Sequence, residues 1–135
     1  MSFMPTQSLA LGLGFEDWLA DNQDEIEAVQ DLLSEPLSDN TSLLAPQLAK
    51  IEAWHSRMTT LLADAEAYLD LAEHQELMAI DRDLTVLERD AILKAKVVHH
   101  RRLRNIIQGL VDSMKNKLIL GMSLGKRNIG EQSRW

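Results

Sequence analysis

The feature that most constrains this chain is a long run of mostly apolar positions with a seven-residue repeat. Between Leu44 and Ala72 the intervals alternate between four and three residues for four repeats. The members of this seam are Leu44, Leu48, Ile51, His55, Met58, Leu62, Ala65, Leu69 and Ala72. A heptad pattern of this length is typical of a long helix that packs lengthwise against another helix, as in a coiled coil or an elongated bundle.

The seam helix is predicted over about residues 42–76, and a shorter helix is predicted before it over about residues 15–34. Acidic residues crowd the first half of the shorter helix, as expected near a positive helix N-terminus. A cluster of Ser, Pro, Asp and Asn residues separates the two segments. Thr41 or Ser42 can cap the seam helix, and Pro46 falls in its early turns, where a missing N–H costs little.

A third helix is predicted over about residues 85–120. Thr85, followed three residues later by Glu88, matches a capping box, in which each side chain bonds the backbone N–H of the other residue. The apolar stripe of this helix is broad, which favours contact with more than one neighbour. The stripe consists of Ile92, Val97, Val98, Leu103, Ile106, Ile107, Leu110, Met114 and Leu118.

No segment alternates with a period of two over a useful length, so strands are not supported. The sequence therefore predicts an all-α fold, in which two long coiled-coil-like helices form an antiparallel hairpin and the shorter N-terminal helix lies against it. The predicted divisions are an apolar N-terminal arm over 1–14, one helical domain over 15–120, and a basic tail over 121–135. Three glycines, of which Gly121 is the first, are expected to end the third helix and loosen this tail.

A slender hairpin leaves much apolar surface uncovered, because each helix hides only the stripe that faces its neighbour. The sequence therefore predicts a homo-oligomer. The residues predicted to form its interface are Leu44, Leu48, Ile51, Met58, Leu62, Leu69, Leu103, Ile107, Leu110 and Met114. The apolar arm, which includes Phe3 and Leu9, is either a segment that docks into a neighbouring subunit or a frayed terminus.

The net charge of −7 conceals a segregation of the two signs along the chain. Residues 1–93 hold 19 acidic and 4 basic side chains, whereas residues 94–135 hold 10 basic and 2 acidic side chains. Such asymmetry indicates either a polyanionic partner for the basic part or pairing between the two parts.

A dense group of cations forms the strongest candidate site. Cations at this density repel one another unless an anion lies alongside, and a nucleic-acid backbone is the natural complement. The alternative is that they pair with acidic helices of the same chain or a neighbouring subunit. Aromatic side chains that could stack on bases are scarce, so backbone contact without reading of the base sequence is favoured. The candidates are Lys94, Lys96, His99, His100, Arg101, Arg102, Arg104, Lys115, Lys117, Lys126 and Arg127.

Several other functions lack their sequence signals. The chain has no cysteine, no HExxH, no GxxxxGK[ST] and no nucleophile-elbow motif, so we expect no metal site, no cofactor and no enzymatic activity. The acidic run of the first helix is interpreted as a solvated face or a docking surface for a basic partner. There is no apolar run long enough to span a membrane, and the lack of cysteine fits a reducing compartment, so a cytoplasmic protein without a membrane partner is predicted.

Residues 40–128 also resemble a known family. An acidic N-terminal segment is followed by "LAKIEAW", by Tyr68 near the end of the seam helix, by a polar turn, and by "LTVLERDAILKAKVVHHRRLRNIIQGLVDSMKNKLILGMSLGKR". This order of features resembles the UvsY recombination mediators of T-even phages. The resemblance implies an oligomeric accessory protein that binds single-stranded DNA and helps load a recombinase in place of a single-strand-binding protein. It places DNA binding in Lys94 to Arg104 and Lys115 to Arg127. The rival hypothesis is a virion structural or assembly protein.

Overall fold

The computed structural model describes the backbone of residues 14–132 and the side chains of residues 14–126. The all-helical prediction is confirmed for this part of the chain, which contains four helices and no strand. These are α1 (Phe15–Ser34), α2 (Thr41–Ala79), α3 (Val86–Lys96) and α4 (Val98–Gln132). The apolar arm lies outside the described residues except for Gly14.

The starts of α2 and α3 follow the capping signals closely, whereas no side chain caps α1. Asn40, rather than Thr41 or Ser42, caps α2, because its side-chain oxygen accepts a hydrogen bond of 3.0 Å from the Ser42 backbone N–H. Thr85 caps α3 by accepting from the Glu88 N–H at 3.2 Å. The Glu88 carboxylate accepts from the Thr85 hydroxyl at 3.0 Å, so the reciprocal bond of the predicted box goes to the side chain.

The predicted third helix is two helices, and it does not end at Gly121. The helix breaks at Val97, whose fully buried side chain anchors the break. Beyond it, α4 continues through Gly121 to Gln132. Gly121 is buried against Leu48 of α2, and a β-carbon at this position would collide with the Leu48 side chain. Gly121 therefore permits a close helix contact instead of terminating the helix.

The long helices α2 and α4 run antiparallel to one another. The Arg101 guanidinium of α4 lies 3.3 Å from the Glu73 carboxylate near the end of α2. At the other end of the pair, Gly121 meets Leu48. Helix α1 lies beside both, antiparallel to α2 and parallel to α4, because it begins near Tyr68 and His100 and ends near Lys117.

The core lies along the line where α1, α2 and α4 meet. Its centre includes Val29 of α1, Met58 of α2 and Met114 of α4, all of them fully buried. The ten residues predicted to join subunits are all at least partly buried within the chain. Six of them are buried, namely Leu44, Ile51, Met58, Leu69, Ile107 and Met114. The other four are half-buried, namely Leu48, Leu62, Leu103 and Leu110.

Large apolar side chains remain exposed at both ends of the bundle. In the described part of the chain they are Leu43, Leu71, Leu77, Met78, Val86, Leu87, Ile92, Val98, Ile106, Ile119, Leu120 and Met122. Helix α3 has no buried residue at all. Within residues 14–132, no helix is long and apolar enough to cross a membrane.

Candidate nucleic-acid interface

The break at Val97 divides the basic run between two helices. Lys94 and Lys96 stand in the last turn of α3, where cations favour the negative end of a helix dipole. The remaining cations start on the first turn of α4. The break is bridged by hydrogen bonds from Val97 N–H to the Leu93 carbonyl at 3.2 Å and from Arg101 N–H to the Val97 carbonyl at 3.0 Å. The basic residues are therefore divided between the last turn of α3 and the length of α4.

Three of the predicted cations already have partners within the chain. The Lys94 ammonium lies 3.0 Å from the Asp90 carboxylate, one turn earlier on α3. Arg101 pairs with Glu73 of α2. The Lys117 ammonium donates to the Leu33 carbonyl at 3.0 Å and to the Glu35 carbonyl, at the end of α1. Arg101 and Lys117 therefore join α4 to other helices and are poor candidates for an outside anion, whereas the Lys94 pair lies within α3 and is exposed to solvent.

His100 is also part of the fold. Its ring lies 4.0 Å from the Phe15 ring, measured between centroids, and its Nδ1 is buried without a hydrogen-bond partner. Burial lowers the pKa of His100, the neighbouring His99 lowers it further, and Glu16 opposes the shift. Arg104 is half-buried, and its Nε likewise lacks a partner. Burial therefore favours the neutral form of His100, and the Arg104 side chain is only partly exposed.

The remaining cations with described side chains are exposed. No carboxylate within residues 14–126 forms an ion pair with any of them. They are Lys96, His99, Arg102, Lys115 and Lys126. Arg127 lies beyond the described side chains. The set predicted from sequence is therefore divided into an exposed group, an occupied group and a half-buried pair.

A shallow concavity lies on the exposed side of α4 next to the junction. It has a volume of about 430 Å³ and is lined by Val98, Arg101, Arg102, Asn105 and Ile106. Arginine and asparagine side chains donate hydrogen bonds that suit phosphate and sugar oxygens. No aromatic ring lines it, so this surface lacks a platform on which bases could stack.

The acidic helix α1 lies beside the basic helix α4. In the described part of the chain, the one ion pair made by α1 joins Glu25 to Arg57 of α2, with 2.8 Å between the Glu25 Oε2 and Arg57 Nε atoms. No ion pair connects α1 to α4 within residues 14–126. The two signs segregated in the sequence are therefore presented side by side on one molecule.

One buried hydrogen bond could not be predicted from the sequence. The Trp18 indole Nε1 of α1 donates to the Asp64 Oδ2 of α2 at 3.2 Å, and both residues are buried. Burial raises the pKa of Asp64, while the Trp18 bond and the charge of Arg57 oppose that shift. An aspartate beside a heptad seam has the spacing of an ordinary solvent-facing residue, and only the position of α1 buries it.

Among the described residues, no group of three His, Cys, Asp or Glu side chains is placed to hold a metal ion. No protein-family model matches the sequence, and neither a curated protein nor a solved structure matches the chain.

Proposed function

We propose that this chain is a non-enzymatic, self-associating accessory protein that binds the backbone of single-stranded nucleic acid. The binding surface comprises the exposed cations of the α3–α4 junction and of α4. The observation that carries the proposal is that these cations remain exposed and without carboxylate partners in a chain whose net charge is −7. A cationic surface kept open on an acidic protein favours an external polyanion.

Binding would be electrostatic and independent of base sequence. Phosphates displace condensed counterions when they meet lysine or arginine, so affinity falls as salt rises. Lys96, Arg102, Lys115 and Lys126 supply four permanent charges. Four phosphate contacts on a single strand correspond to a slope of roughly −3 when the logarithm of affinity is plotted against that of salt concentration.

The UvsY resemblance supports a more specific role. In that role, copies of the chain associate along single-stranded DNA and help a recombinase replace a single-strand-binding protein. The long α2–α4 pair and the apolar side chains left at its ends suit association of several copies, since large exposed apolar patches mark interaction surfaces.

The test is a titration of fluorescent oligothymidylate with the full chain at several salt concentrations, followed by anisotropy. The variant Arg102→Glu with Lys115→Glu reverses two exposed, unpaired charges. We expect its affinity to fall by about 10- to 100-fold and its salt slope to drop by roughly 1.4, or about 0.7 for each lost contact. Arg101 is a poor choice for this test, because reversing it would place a carboxylate against Glu73.

The matched control is Lys50→Glu with Arg82→Glu. Both residues are exposed, and the variant has the same net charge but leaves α3 and α4 unchanged. If this control variant binds DNA with wild-type affinity, binding is assigned to the proposed surface. Equal losses in the two variants would mean that affinity depends on the total charge of the chain and not on where the cations lie. No binding by the wild type at low salt would refute the proposal.

A virion structural or assembly protein is the second candidate, and the exposed apolar side chains favour it. In that function the same ends would join subunits permanently, and the cations would pair with α1 of a neighbouring copy. A stable oligomer that does not bind DNA at low salt, and that dissociates when Arg102 and Lys115 are reversed, would establish this alternative.

A further inference from the structure

Helix α1 packs along one face of α2 that includes Arg57 and Asp64, and we call this face the track. The Trp18 Nε1 contacts Asp64, and Glu25 pairs with Arg57. Seven residues separate Trp18 from Glu25 on α1, and seven separate Arg57 from Asp64 on α2, in the opposite direction. The two helices therefore keep one antiparallel register along this face.

The track continues along α2 beyond the start of α1. At the same seven-residue interval after Asp64, the next positions are Leu71 and Met78, which are 43% and 71% exposed. The residues that α1 covers on this track are charged, whereas those beyond it are large and apolar. Apolar side chains in a row on one helix face indicate a surface that is built to be covered.

Residues 1–13 join α1 at the position along α2 where the contact between α1 and α2 ends. Phe15, the first residue of α1, lies against Tyr68 and His100, with ring centroids 5.6 Å and 4.0 Å apart respectively. Residues 1–13 contain no charged side chain. Their apolar members are Met1, Phe3, Met4, Leu9, Ala10, Leu11 and Leu13.

We propose that residues 1–13 dock on their own chain, along α2 over Leu71 and Met78. Gly14, which precedes α1, has an extended backbone, so the helical register stops there and the reach of the arm decides which positions of α2 it can cover. Met78 lies ten residues beyond Tyr68, or about 15 Å along the helix. Thirteen residues span about 20 Å as a helix and about 43 Å when extended, so the arm reaches in either conformation.

The absence of native cysteine allows a direct test by disulfide formation in the full chain. Leu11→Cys is combined in separate variants with Leu71→Cys or Met78→Cys, which lie on the track. The matched controls combine it with Asp70→Cys or Leu77→Cys. Each control position is exposed, adjacent in sequence to a test position, and turned about 100° around the helix.

A flexible tether alone gives an effective concentration in the millimolar range, so every pair would close within one chain to some extent. Docking of the arm would make disulfide closure faster at the positions on the track than at the control positions. We expect closure at position 71 or 78 to be roughly tenfold faster than at position 70 or 77, because burying large apolar side chains favours the docked state by at least that factor.

Two outcomes would overturn the inference. Equal rates at the test and control positions would mean that the arm is only tethered. Disulfide-linked dimers that form in proportion to protein concentration would mean that a second copy covers the track. Neither outcome depends on nucleic-acid binding, so this test and the anisotropy titration fail independently.

Discussion

At the scale of single residues, Asp64 and Gly121 decide how closely the helices approach. Asp64 places a carboxyl group in the core, where Trp18 satisfies one oxygen and the other has no partner. A buried polar atom without a partner costs free energy, so this contact specifies where α1 lies more than it adds stability. Gly121 acts by size, because its lack of a side chain leaves room for Leu48.

Replacing either of two glycines of α4 by alanine is expected to change the free energy of unfolding, in opposite directions for the two positions. Gly109 is exposed with open space where a β-carbon would stand, so Gly109→Ala should stabilise the fold by about 0.5–1 kcal/mol through helix propensity. Gly121→Ala should destabilise it by about 1 kcal/mol, because overpacking against Leu48 exceeds that gain. Thermal unfolding measures both, and equal stabilisation by the two changes would contradict the close contact at Gly121.

At the scale of elements, α3 is the most weakly held of the four helices. It has eleven residues, none of them buried, and an isolated helix of this length is marginal in water. Its local stability depends on the Thr85 cap and on the Lys94–Asp90 pair. Because the cationic surface begins on α3, the order of this helix determines how Lys96 is presented.

Removal of the cap should loosen α3 without unfolding the bundle. Thr85→Ala is expected to cost about 1 kcal/mol locally, which corresponds to roughly fivefold faster amide hydrogen exchange over residues 86–96. The melting temperature should change little, since α3 buries no residue. The control variant is Thr59→Ala on α2, which removes a hydroxyl that does not cap a helix. Unchanged exchange in Thr85→Ala would show that the cap does not stabilise α3.

At the scale of the whole molecule, an acidic helix and a basic helix share one core, and two ionisable groups, the buried Asp64 and the half-buried His100, lie at the α1 contacts. The pKa of His100 is lowered, so the fold favours neutral imidazole. Stability from this group is present above the unfolded value of about 6.5 and is lost as the pH falls through the lower folded value. The raised pKa of Asp64 acts in the opposite direction, since its neutral form is favoured in the fold.

The His100 contribution can be isolated by comparing slopes. As the pH falls from about 7.5 to about 5.5, the melting temperature of the wild type should fall more steeply than that of His100→Gln. The variant loses packing against Phe15 at every pH, so only the difference in slope is diagnostic. Parallel curves would show that His100 does not carry this dependence.

The sequence by itself determined the helical class, the starts of α1, α2 and α3 and the separation of charge, because these follow from local spacing and short-range capping. Breaks and ends were harder to predict. Nothing near Val97 signals a break, and Gly121 has the appearance of a terminator although it lies inside α4.

Only the tertiary structure decided which charges are free and which seam residues are covered. Arg101 and Arg102 are neighbours with the same chemistry, yet Arg101 forms an ion pair with Glu73 whereas Arg102 is exposed. The seam residues Ile51, Met58 and Ala65 are buried within the chain, where α1 packs against α2 and α4. Pairing and burial depend on contacts between residues that are distant along the chain, and periodicity within one helix does not encode these contacts.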